Sequence, residues 1–103
     1  MNNCLIVNMK EEGVNGAVGR VLGIKLKEKI ISEQEANNYE KIILDFSEVD
    51  FVTSGFAKEL FGGLFEAFHQ TFKNLITARV SKDNETLRNT IIRAITTAVQ
   101  SQV

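Results

Sequence analysis

Ile42-Ile43-Leu44-Asp45-Phe46 is nearly continuous apolar sequence with one charge inside it. A strand buried on both faces reads this way, as in the middle of a parallel sheet. Downstream, Ser47 to Gly55 is a connection carrying the apolar pair Val49 and Phe51. The spacing then predicts a helix from about Ser54 to Thr71. Phe56, Leu60, Leu64 and Phe68 recur every four residues, and Phe61, Phe65 and Phe72 form a second stripe beside them. So wide an apolar face must cover a sheet and something more, which argues for a homodimer or a stable heteromer through the Phe61/Phe65/Phe72 side. Gly62-Gly63 inside this helix costs about 2 kcal/mol relative to alanines, so close packing or self-association is expected there.

Further on, Asn74 to Val80 reads as a strand. Asp83 or Asn84 can cap a following helix whose buried face is Leu87, Ile91, Ala94, Ile95 and Ala98. Upstream, Cys4 to Met9 reads as a strand and Lys10 to Gly13 as a turn. Val14, Val18, Leu22, Leu26 and Ile30 then recur every four residues, which predicts a helix from about Val14. Ser32 to Glu40 has no apolar period and reads as a loop or a frayed helix end. Strands and helices alternate, so the class is α/β: a small parallel or mixed sheet packed with about three helices. At 103 residues the whole chain, 1–103, is expected to be one domain.

Several functions are disfavoured. A formal net charge of −1 gives no global pull toward nucleic acid or an anionic membrane. Arg79, Lys82, Arg88 and Arg93 read as solvated surface, with too few aromatics between them for nucleic-acid binding. Cys4 is the only cysteine, so an internal disulfide is excluded; its apolar surroundings predict a buried, inert thiol in a reducing compartment. No targeting segment is visible, and no apolar run approaches the roughly 20 residues that span a bilayer. A cytoplasmic location is expected. His69 stands among phenylalanines and reads as a helix-end residue. Neither a catalytic triad nor a metal cluster nor paired catalytic carboxylates can be picked out, so the chain is expected to be no enzyme and to need no cofactor.

The stretch from Ile42 to Leu60 resembles the core of the STAS domains, named for sulfate transporters and anti-sigma-factor antagonists, and more closely the divergent STAS-like family. The resemblance lies in a strand ending Asp45-Phe46, a hydroxyl-bearing turn at Thr53-Ser54, and a helix opening Phe56-Ala57-Lys58-Glu59-Leu60. It implies a regulatory protein-interaction module whose partner is a protein of ATPase-type kinase fold or an anti-sigma-type regulator. It also implies that phosphorylation of a loop hydroxyl releases the complex. Better-known switch loops read Asp-Ser-Ser-Gly or Asp-Ser-Thr-Gly. Here the sequence is Val52-Thr53-Ser54-Gly55, so with Gly55 as anchor Ser54 matches the hydroxyl and Thr53 replaces the acid. The phosphoacceptor candidates are therefore Ser54 and Thr53. The implied docking surface is Val52, Thr53, Ser54 and Gly55 with Lys58 and Glu59.

Each site residue also has a plainer role. Thr53 or Ser54 at a helix start can cap free backbone N–H groups. Asp45 can bond the N–H groups of the turn that follows it, or stand as a metal ligand without a second ligand at a suitable spacing. Gly13, Gly16 and Gly19 follow a strand and could cradle a phosphate, which leaves a small-ligand or nucleotide binder as an alternative, although the spacing is no dinucleotide fingerprint. A third possibility is an interaction protein from a mobile element that uses the fold without a phosphoswitch.

Overall fold

The computed structural model of the chain describes residues 3–16 and 18–101. Strand β1 (Cys4–Asn8), helix α1 (Arg20–Asn37), strand β2 (Lys41–Asp45) and helix α2 (Ser54–Phe68) lead into a 3₁₀ turn at His69–Thr71. Short helix α3 (Phe72–Leu75), strand β3 (Ile76–Arg79) and helix α4 (Glu85–Ser101) complete the order. The sheet is wholly parallel, with strands in the order β1-β2-β3. The long helices α1, α2 and α4 pack on it, with α2 between the other two.

The apolar run therefore does form the central strand, but it is buried on one face rather than two. Leu5, Ile42 and Ile76 stand in register across the sheet, as do Val7, Leu44 and Ala78. These side chains meet the helices; Ile42 and Leu44 are completely buried. The other face carries Ile6, Ile43 and Thr77, and Ile6 is 57% exposed. Ile43 is only half-buried, shielded by its neighbours along the sheet. Cys4 points to this open face at the edge strand, and its thiol is exposed, contrary to the expectation from its apolar neighbours.

Helix α2 is central because its apolar face is widest. Phe56, Ala57, Leu60, Phe61 and Leu64 are buried in it, and the Phe61 ring lies 6.2 Å from that of Phe46 at the end of β2. Phe72 is buried as well, with its ring 5.5 Å from that of Phe65. Phe61 and Phe72 are thus consumed inside the chain and are not available to a second copy. Phe65 and Phe68 remain half-buried, beside a groove of about 770 Å³ that also reaches Ile95 and Val99 of α4.

Helix α1 starts at Arg20, six residues later than the apolar spacing predicts. Val14 is buried, but in a loop: Gly13 and Gly16 adopt φ of +86° and +84°, a left-handed conformation that helices exclude. At its other end α1 runs through the polar stretch to Asn37. Asn38 closes it in the left-handed region (φ 53°) and donates its N–H to the Gln34 carbonyl at 2.8 Å. The Gln34 side chain then clasps the backbone N–H and carbonyl of Tyr39 at 2.9 and 3.0 Å. Asn84, not Asp83, caps α4 by accepting the Leu87 N–H at 3.1 Å.

Candidate functional site

The β1–α1, β2–α2 and β3–α4 connections gather beyond the carboxyl ends of the parallel strands, where ligand sites lie in open α/β sheets. They are tied to one another by hydrogen bonds. The Gly16 N–H donates to the Phe51 carbonyl at 2.8 Å, and the Asp50 N–H to Asn15 Oδ1 at 2.9 Å. From the other side, Asn84 Nδ2 donates to the Asp50 carbonyl at 2.6 Å and to that of Val49 at 3.3 Å. Buried Val49 anchors the connection underneath. The segment leading into α2 is thus held at several points, and Phe51 projects from it with 49% exposure.

Asp45 is the turn-former that its plainer role implies. Its Oδ1 accepts the Ser47 N–H at 2.9 Å, and Arg79 Nη1 lies 3.8 Å from its other oxygen. The hydroxyl of Ser47, the Ser47 N–H and the Arg79 charge together hold this carboxyl below the usual carboxylate range, against a smaller opposing effect of burial. Among the described residues no group of His, Cys, Asp and Glu is arranged to hold a metal.

Thr53 and Ser54 have different roles. Thr53 is the N-cap of α2: its Oγ1 accepts the Phe56 N–H at 3.1 Å and donates to the Val18 carbonyl at 2.6 Å. That hydroxyl ties α2 to the start of α1 and is half-buried. Ser54, the first residue of α2, is exposed, and its hydroxyl makes no hydrogen bond among the described residues. One turn on, Lys58 is also exposed.

The other residues implied in docking are less accessible. Val52 is 6% exposed and packs into the core, so its side chain is no part of the surface. Glu59 is drawn sideways to α1, where Arg20 donates from Nε and Nη2 to Glu59 Oε1 at 3.2 and 2.9 Å. The stem of Arg20 also covers Gly55. Of the residues implied in docking, Ser54 and Lys58 are the accessible ones, and Phe51 joins them. Phe51 was visible in the sequence only as half of an apolar pair, with nothing local to separate it from buried Val49.

The glycine-rich turn after β1 is committed to its own folding. The N–H groups of Gly13, Val14, Gly16 and Val18 are donated to the carbonyls of Lys10, Met9, Phe51 and Gly16. A phosphate would find those donors occupied. Ala17, within the same turn, lies outside the described residues.

A parallel sheet covered by helices on one face, with an exposed hydroxyl at the start of its central helix, defines a small α/β domain. The chain belongs to the STAS-like family: residues 23–85 match the family model described as a STAS-like domain of unknown function (DUF4325). The match runs from within α1 to the first residue of α4 and so includes the whole β2–α2 loop. No curated protein and no solved structure matches the chain. Among the described residues no helix is long and apolar enough to cross a membrane.

Proposed function

We propose that this STAS-like domain is a non-catalytic docking module of a regulatory system, and that Ser54 is its switch. The partner is a protein of ATPase-type kinase fold or an anti-sigma-type regulator. It docks on the rim formed by Phe51, Ser54 and Lys58 at the start of α2. An exposed aromatic ring in the loop, which lies toward Gly16, and an exposed hydroxyl and cation on the first turns of α2 can supply an anchor and polar contacts to a protein interface.

The observation that supports this function most is the division of labour between two adjacent hydroxyls. Phosphorylating Thr53 would break its bond to Phe56 and its tie to Val18. Phosphorylating Ser54 breaks no hydrogen bond, and it adds about two negative charges to an exposed docking rim. The added group also meets the positive end of α2, so the fold tolerates it.

The test is phosphosite mapping by mass spectrometry on the chain isolated from its native cells, together with identification of the protein that co-purifies. Modification at Ser54, confined to chains free of the partner, is the expected result. Unmodified Ser54 in both free and bound chains would leave a docking domain without a phosphoswitch.

A further inference from the structure

Ser54 lies beside a recess in the seam between α2 and α4. Ser54 and Lys58 stand four residues apart on α2, so their side chains stack on one face. Thr90 and Arg93 share a face of α4 in the same way. Both pairs line one recess of about 80 Å³, together with Ala94. A recess of this kind holds a water from about 10–15 Å³, so this one has room for a small group added to the Ser54 hydroxyl.

The charges in the recess are unbalanced. Neither Lys58 nor Arg93 has an ion pair among the described residues, where the pairs are Arg20–Glu59, Lys29–Glu12 and Arg79–Asp45. Glu59, the acid next to Lys58, is turned toward α1 by Arg20. In α4 the only acid is Glu85, in its first turn, two turns before Arg93. Among the described residues no carboxylate is therefore paired with either cation.

We infer that Lys58 and Arg93 form a cationic clamp that draws a phosphoryl group on Ser54 into the α2–α4 recess, a role that rests on Ser54 being the switch proposed above. The transfer is a displacement at the γ-phosphorus of a nucleoside triphosphate held by the kinase. The bond from Ser54 Oγ to phosphorus forms, the bridging bond to the nucleoside diphosphate breaks, and the hydroxyl proton passes to a base on the kinase. The clamp then ties α2 to α4 and pulls Lys58 away from the docking rim. Release of the partner follows from loss of that cation as well as from the added charge.

The experiment uses the full chain carrying phosphoserine at position 54, introduced genetically so that no kinase is needed. Phosphorus NMR follows its titration, and thermal unfolding follows its stability, in the otherwise unchanged chain and in Arg93→Gln and Arg93→Lys. The phosphate should titrate about half a unit or more below its usual value near 6, and should return toward that value in Arg93→Gln. Phosphorylation should raise the thermal midpoint, Arg93→Gln should abolish the gain, and Arg93→Lys should restore part of it. A titration and a midpoint indifferent to Arg93 would overturn the clamp, because the helix end alone would then account for the phosphate. Capture of the co-purifying partner by modified and unmodified chains separates the two proposals. Weakened capture without Arg93 dependence removes the clamp and keeps the switch. Equal capture with an Arg93-dependent titration keeps the clamp and removes the switch.

Discussion

Gly23→Ala should destabilise this protein although alanine is the better helix former. Gly23 lies buried in α1 where that helix crosses α2. A Cβ added there would stand 2.8 Å from the Phe56 carbonyl oxygen, 3.1 Å from Glu59 Cβ and 3.5 Å from the Leu60 nitrogen. Comfortable contact begins at about 3.5 Å. The nearest atom is backbone in the first turn of α2, so no rotamer change relieves the clash and the helices must separate. Overpacking of this kind costs about 1–3 kcal/mol. The upper half of that range applies here because the obstacle is main chain. Alanine returns about 1 kcal/mol through helix propensity, leaving a net loss of about 1–2 kcal/mol. For a domain of this size that lowers the thermal midpoint by roughly 5–15 °C. Gly62→Ala is the internal control. A Cβ on Gly62 meets nothing within 4 Å, so the same substitution on α2 should stabilise by about 1 kcal/mol. Urea titrations with an unchanged slope measure both. If Gly23→Ala moved the midpoint upward, as Gly62→Ala should, the close crossing of α1 and α2 would be refuted.

Other outcomes follow from the core and the loop. Leu64→Ala removes a completely buried side chain beneath the centre of the sheet and should cost about 2–5 kcal/mol in urea unfolding; an unchanged midpoint would contradict that placement. Thr53→Ala loses the cap of α2 and should cost about 1 kcal/mol, with faster amide exchange at Phe56 and recovery in Thr53→Ser. Asp45 has a lowered folded pKa, so its contribution is fully present above the ordinary carboxylate value near 4 and is lost as pH falls through the folded value. Asp45→Asn should therefore be less stable than the parent at neutral pH, and the difference should shrink on acidification; a pH-independent difference would show that the charge is immaterial.

Local pattern made the elements legible where burial followed a single period. The central strand shows in Ile42 to Phe46, and the core helix in Phe56, Leu60 and Leu64, because those residues share one interior. The pattern misled where the same residue types were buried for another reason. Val14 fits the helical spacing of Leu22 and Leu26, yet it is a loop residue held by left-handed glycines, which spacing cannot register. The last part of α1, Ser32 to Asn37, carries no apolar period because it is largely turned to solvent, and its end is fixed by Asn38 and Gln34 through backbone bonds. Cys4 sits in an apolar run, but only the pairing of strands shows that its side of β1 is open.

The site was legible to the same extent. Two hydroxyls at a helix start could be found from sequence. That Thr53 is committed and Ser54 free depends on the Val18 carbonyl, which another loop supplies. Val52, Glu59 and Phe51 could not be sorted into buried, paired and exposed without the packing of α1 against α2. Arg93 joins Ser54 only through the α2–α4 seam, which no local spacing encodes.

The most direct test of the docking role is calorimetry with the co-purifying partner on the parent chain, Ser54→Ala and Ser54→Asp. The partner should bind the parent and Ser54→Ala equally. Ser54→Asp should keep its thermal midpoint yet bind at least about tenfold more weakly, a loss of about 1.4 kcal/mol. Equal affinity for all three chains would contradict the account and make the start of α2 a purely structural element.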